Sequence, residues 1–130
     1  MENVIFQSES LRVEIEPFEI PWLKIFTVTP HKEFSECSLD LRIEIIQMLD
    51  VIEKEMIGFF NPDKINIASF GNYVPKVHFH IQARFKNDSY FPEPTWGKKM
   101  RDSDLKLDMN SFYEKLSYKL ESYKLTNQIN

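Results

Sequence analysis

The sequence predicts an α+β fold: an antiparallel β-sheet with one long helix packed on it and a C-terminal helix. Three observations predict it. Residues 11–16 and 76–85 alternate apolar and polar side chains at the two-residue period of a strand with one buried face. Residues 39–57 carry an apolar stripe at three- and four-residue spacing. The connections within each predicted strand pair are short, which suits antiparallel pairing and not the long crossover that a parallel pair needs.

Taken in order, Leu11-Arg12-Val13-Glu14-Ile15-Glu16 alternates strictly and is ended by Pro17. Trp22 to Val28, bounded by Pro21 and Pro30, is a second strand whose mixed pattern implies deeper burial. The helix spans Leu39 to Ile57, with Leu41, Ile45, Met48, Leu49, Ile52 and Met56 on one face. Ser38 suits its N-cap, Asp40 the positive end of its dipole and Gly58 its stop. Two further strands, Lys64 to Phe70 and Lys76 to Phe85, are joined by Gly71-Asn72-Tyr73-Val74-Pro75 as a hairpin. A polar, proline-bearing stretch then leads to Trp96-Gly97. Ser111-Phe112-Tyr113-Glu114 reads as a capping box ahead of a stripe of Phe112, Leu116, Leu120 and Tyr123. The polar tail, Thr126 to Asn130, is expected to fray.

At 130 residues the chain is the size of one domain, with a core region of about 10–97 and a helical extension of about 98–130. Eleven phenylalanines predict a core built from bulky rings. The net charge of −4 argues against binding a nucleic acid polymer, which needs a basic surface, but leaves room for one mononucleotide in a pocket. The single cysteine, Cys37, can form neither an internal disulfide nor a cysteine-based zinc site and reads as a small packing residue. Met1 to Ser10 lacks the pattern of a signal peptide, and no apolar run is long enough for a membrane span. The expectation is a cytoplasmic protein with no membrane partner.

The segment that carries chemistry is Lys76-Val77-His78-Phe79-His80-Ile81-Gln82-Ala83-Arg84-Phe85. Alternation places Val77, Phe79, Ile81, Ala83 and Phe85 toward the core and Lys76, His78, His80, Gln82 and Arg84 on the opposite face. Residues two apart on a strand are about 6.5–7 Å apart, so both imidazoles can converge on one phosphate group. Histidine titrates near neutrality, so one ring can attack while its neighbour donates a proton. Lys76 and Arg84 would supply positive potential, and backbone N–H groups near Gly71 and Asn72 could hold phosphate oxygens.

On these residues alone, other readings stay open. A strand-borne His-x-His also suits zinc, with a carboxylate such as Asp88 or Glu93 as third ligand, and histidines can be purely structural. His31 reads as an exposed loop residue. Asn66 and Asn72 fit ribose or phosphate, yet asparagine is also an ordinary turn residue. Gln82 shares the site face. Trp96 is either a lid on a base or a packing anchor, and Lys98-Lys99-Met100-Arg101 is a solvated turn able to attract a polyphosphate.

The run Asn66-Ile67-Ala68-Ser69-Phe70-Gly71-Asn72-Tyr73-Val74-Pro75 followed by Lys76-Val77-His78-Phe79-His80 resembles the motif region of the histidine-triad family, His-φ-His-φ-His-φ-φ. Phe91-Pro92-Glu93-Pro94-Thr95-Trp96-Gly97 and Pro21-Trp22-Leu23-Lys24-Ile25-Phe26 resemble segments of a bacterial branch of that family. The resemblance implies a histidine-triad fold, often homodimeric, that acts on the α-phosphate of purine nucleotide conjugates without cofactor or metal. It implies that His78 is the nucleophile and that His80 assists at the phosphate. Lys76, Asn72, Asn66 and Gln82 are then the candidate phosphate and nucleotide contacts. Lys76 stands where the family has its first histidine, and Tyr73 where many members have a serine. The implied activity is hydrolysis or transfer on phosphoramidates or dinucleoside polyphosphates through a nucleotidyl-histidine. The alternative is a regulatory nucleotide-binding protein with little turnover.

Overall fold

A computed structural model of the protein describes residues 3–129, with side chains through Tyr123. Five strands form one sheet: β1 (Val4–Gln7), β2 (Leu11–Ile15), β3 (Trp22–Thr27), β4 (Lys64–Ala68) and β5 (His78–Arg84). Their order is β1-β2-β3-β5-β4 and every neighbouring pair is antiparallel. Helices α1 (Leu39–Phe60) and α2 (Met109–Ile129) complete the α+β architecture. α1 packs on β5, and α2 lies against β1 and α1.

The core forms where the alternation of the strands meets the helical stripes. Leu11, Val13, Leu23, Ile25, Ile81 and Ala83 are buried together with Ile45, Met48, Ile52 and Met56 of α1 and Phe112, Leu116 and Leu120 of α2. Phe59 and Phe60 close around Phe112, with ring centres 5.4 and 4.8 Å away, but the core is mainly aliphatic: Phe6, Phe85 and Phe112 belong to its buried cluster, whereas Phe18, Phe34, Phe59 and Phe70 are exposed. Truncating Ile52 or Ile81, both fully buried, is expected to cost about 2–5 kcal/mol.

Several boundaries differ from the sequence expectation for identifiable reasons. β1 was not expected: the register shift between Val4 and Phe6 breaks the two-residue period there. α1 begins at the predicted cap, where the Ser38 hydroxyl accepts from the Leu41 N–H at 3.1 Å. It runs through Gly58 and stops at Asn61, whose φ of 47° supplies the left-handed turn expected of the glycine. The β4–β5 connection spans residues 69–77 and is longer than the five-residue hairpin loop predicted. The Val77 N–H bonds to the His31 carbonyl at 2.7 Å, and the Ser69 hydroxyl donates to the His78 carbonyl at 2.7 Å. Those contacts replace the ladder that would have extended both strands.

Asp108, not Ser111, caps α2, accepting from the Ser111 N–H at 3.2 Å. The helix continues to Ile129 through most of the predicted tail, whose final residue, Asn130, lies outside the described residues. Among the described residues, no helix is long and apolar enough to cross a membrane.

Candidate active site

The helices cover one face of the sheet, and the site lies on the other. Pairing of β3 with β5 sets Trp22 opposite Gln82, Lys24 opposite His80 and Phe26 opposite His78. The polar face of β5 is itself buried: His78 is 7% and His80 8% exposed, and Gln82 and Arg84 are 1% exposed each. Two different covers account for this. The first half of the strand looks into a cleft of about 430 Å³, and the second half lies beneath the segment that follows β5. The strand residues Lys24, Phe26, His78 and His80 line the cleft together with Glu16 just beyond β2, the 70–74 loop lines its mouth, and Trp96 forms a wall. The volume falls within the usual range for a small-molecule site.

Both histidine rings are fixed by partners of a single hydrogen-bonding sense. His78 stacks on Phe26, with ring centres 4.8 Å apart and planes 16° from parallel. Its Nδ1 lies 2.8 Å from the Lys76 carbonyl oxygen. A carbonyl only accepts, so Nδ1 carries the proton and the lone pair of the neutral ring is on Nε2. At His80 the arrangement is reversed. The Trp22 indole Nε1–H donates to His80 Nδ1 at 3.0 Å, which leaves Nε2 to carry the proton. The His80 pKa is pushed down to about 4, first by burial and then by the neighbouring charges of His78 and Lys24, against a smaller opposing pull from Glu16. His80 is therefore neutral at physiological pH. The two imidazole centres are 5.1 Å apart, and Trp96 packs edge-on against His80 at 4.9 Å.

The other predicted site residues divide. Asn72 lines the cleft next to Gly71, whose φ of 76° is strained for any residue with a Cβ. Lys76 precedes β5, contrary to the expected strand position, and its side chain is not among those lining the cleft. Its ammonium sits over the Phe26 ring, 5.2 Å from the centre, and its backbone carbonyl is what orients His78. Gln82 donates to the Thr95 hydroxyl at 2.8 Å, and Asn66 accepts from Arg84 Nη1 at 2.8 Å; neither lines the cleft. His31 is half-buried and also stands outside it.

Arg84 acts structurally. Its guanidinium meets Asp88 at 2.9 and 3.0 Å and donates to the Glu93 carbonyl at 2.8 Å. Glu19 accepts from the N–H of Ser89 at 2.9 Å and from its hydroxyl. These bonds lash the 88–101 segment, with its cis Phe91–Pro92 peptide, across the sheet and deliver Trp96 to the cleft. The carboxylate of Asp88 is thereby committed, and among the described residues no group of three His, Cys, Asp or Glu side chains is placed to hold a metal ion.

Sequence reasoning missed the contribution of β3, from which Lys24 and Phe26 line the cleft and Trp22 bonds to His80 behind it. All three alternate with the buried Leu23 and Ile25, a period that points them to the site face once β3 is paired with β5. Lys24, held by Glu16 at 3.0 Å, is the ammonium that lines the cleft.

A five-stranded antiparallel sheet with helices on one face and two strand-borne histidines in a cleft on the other defines the histidine-triad fold. Solved structures of that kind superpose over most of the chain. A histidine triad protein from Marinobacter aquaeolei is 25% identical, with a TM-score of 0.75, covering 93% of this chain and 91% of that one. One from Bradyrhizobium japonicum is 23% identical, with a TM-score of 0.71 and 87% coverage of each chain. The diadenosine triphosphate hydrolase of Plasmodium falciparum is 17% identical, with a TM-score of 0.57, covering 93% of this chain and 75% of that one. No family model matches the sequence, and no curated protein matches it.

Proposed function

We propose that the protein is a cytoplasmic nucleotide-binding hydrolase or transferase of histidine-triad type. His78 Nε2 attacks the α-phosphorus of a purine nucleotide conjugate, a phosphoramidate or a dinucleoside polyphosphate, and water hydrolyses the resulting nucleotidyl-histidine. The observation that carries this reading is the Lys76 carbonyl bond to His78 Nδ1, which leaves a nucleophilic lone pair on Nε2 beside a neutral imidazole. The His80 Nε2–H and the Lys24 ammonium would then stabilise charge on the phosphate oxygens, with Asn72 at the cleft mouth. Brief incubation with an α-32P-labelled conjugate in the presence of a chelator is expected to leave acid-labile label on the protein. Turnover with no trapped label at any quench time would point to direct attack by water instead.

The position of Lys76 favours a second reading, regulatory nucleotide binding with little turnover. Its side chain does not line the cleft, so among the described residues no third imidazole stands beside His78. On the first reading the backbone carbonyl already does the orienting, and Lys76→Ala is expected to lower kcat/KM less than about tenfold, or 1.4 kcal/mol. The deficit should shrink as salt rises, because what is lost is a screened charge. A loss of several hundredfold that salt does not change would place the lysine in the reacting centre.

The family resemblance also implies a homodimer. β4 is an edge strand with Ile67 47% exposed, which leaves a sheet edge for a second copy. Sedimentation equilibrium at micromolar concentration is expected to give twice the chain mass, and a monomer there would remove this part of the proposal.

A further inference from the structure

We propose that Trp22 is a positioning residue that locks His80 as a neutral Nε2–H donor, and that this lock restricts the cleft to conjugates whose leaving group departs without a proton. The substrate half of this inference rests on the proposed function; the lock does not.

The geometry is specific. Trp22 Nε1 is 3.0 Å from His80 Nδ1, and an indole nitrogen can only donate. Protonating Nδ1 would set two N–H groups head to head, so the tryptophan must first be displaced. It is not free to move. Its ring packs edge-on against Phe18 at 5.6 Å and Trp96 at 5.3 Å, and its backbone N–H donates to the Tyr113 hydroxyl of α2 at 3.1 Å.

The charged and titratable groups around His80 act in the same direction or offer little resistance. His78 stands beside it on β5 and Lys24 opposite it on β3, both opposing a positive charge. Glu16, just beyond β2, pulls weakly the other way, since its carboxylate is already held by Lys24 at 3.0 Å. β4 presents Ala68 at this level, and the covering segment presents Trp96.

A neutral imidazole can donate a hydrogen bond to a phosphate oxygen, but it cannot protonate a departing amine. The balance of the step then decides the substrate. His78 Nε2 forms a bond to the α-phosphorus, the bond to the leaving group breaks, and the electron pair goes to the leaving atom. If that atom is a phosphate oxygen, whose last ionisation lies near about 6, it departs as a stable anion. An amine, with a pKa of about 10, must take a proton as it leaves. Water then attacks phosphorus, Nε2 departs with its electron pair, and one proton is released to solvent. Among the described residues, the other cleft groups with a proton to give are Lys24, paired with Glu16, and the fully exposed Tyr73. Phosphoanhydride-linked conjugates fit this site, and P–N-linked conjugates fit it poorly.

Two measurements test the inference. Long-range 1H–15N correlation spectra of the free wild-type protein are expected to show His80 protonated on Nε2 alone from pH 8 down to about 5. A proton on Nδ1 within that range overturns the lock. In Trp22→Phe, which keeps an aromatic ring and removes the donor, the second tautomer should appear and the titration should move up.

The second measurement compares kcat/KM for a dinucleoside triphosphate and for a phosphoramidate of the same nucleoside. Wild type should favour the anhydride by about 100-fold or more, the lower end of what a positioned general acid contributes. Trp22→Phe should narrow that ratio about tenfold, with amine release rising as pH falls. Equal cleavage of both conjugates by wild type overturns the leaving-group restriction. Turnover of neither overturns the proposed function and the substrate half with it, while the spectra still decide the lock.

Discussion

His78→Ala is expected to abolish acid-labile labelling and to reduce turnover by at least about 10⁴-fold, while nucleotide affinity stays within about tenfold. The split follows from what the ring does. In the proposed scheme its Nε2 forms the bond to phosphorus, and among the described residues no other unprotonated ring nitrogen faces the cleft, because the Nδ1 of His80 is occupied by the Trp22 indole. Binding in that scheme draws instead on the aromatic lining of the cleft, on Lys24 and on the loop around Asn72, all of which remain. Removing a ring that stacks on Phe26 leaves a gap, so imidazole added to His78→Gly provides the complementary measurement. Restored turnover without a covalent label would show that the lost group acted as a nucleophile and not as packing. An alanine variant with wild-type rate would end the nucleotidyl-histidine scheme.

The second large effect lies in stability. Asp88→Asn is expected to destabilise the fold by about 3–5 kcal/mol, enough to lower the melting temperature by roughly 10 °C or more. Asp88 is 1% exposed and its carboxylate accepts from Arg84 Nε and Nη2 and from the N–H groups of Phe85, Tyr90 and Phe91. An asparagine keeps the shape but loses the charge and one acceptor, and Arg84 is left as a buried cation without its counter-ion.

Burial by itself pushes the Asp88 carboxyl up, but the bonds from Arg84, Phe85, Tyr90 and Phe91 together outweigh it and hold the pKa below its ordinary value. A depressed folded-state value contributes stability that is complete above the unfolded value of about 3.9 and is lost as pH falls through the folded one. Wild type should therefore lose stability in acid along a limb that Asp88→Asn lacks. Thermal melts of both proteins between pH 2 and 7 check this, and parallel curves would show that Asp88 does not carry the acid sensitivity.

How far the fold was legible depended on whether one local rule governed each stretch. The stripe of α1 and the alternation of β2 and β5 were readable because a single period persists through each. β1 was not, because its bulge interrupts the period within four residues. In the site, the spacing of His78 and His80 made their shared strand face legible, while a metal site and purely structural histidines stayed open on those residues alone. Lys76 was misplaced because the alternation was extended two residues beyond the point where the His31 carbonyl draws Val77 away from the ladder. Gln82 and Arg84 shared the right face, but their cover comes from a segment whose path depends on Asp88, which reads in sequence as an ordinary polar loop residue. Placing Trp22, Lys24 and Phe26 beside the histidines required a strand register, which is a long-range property.

The hydrogen bond between the Trp22 N–H and the Tyr113 hydroxyl joins positions 91 residues apart, and α2 also supplies Phe112, Leu116 and Leu120 to the core. Closing so long a loop is entropically unfavourable until many other contacts already exist. On the ribosome, the chain up to residue 108 contains both histidines, the indole and every strand, yet lacks the hydroxyl that seats the indole's backbone. The seat of Trp22 beside His80 is therefore completed after the sheet and α1, and a nascent chain holds both imidazoles in an unfinished cradle until α2 has emerged.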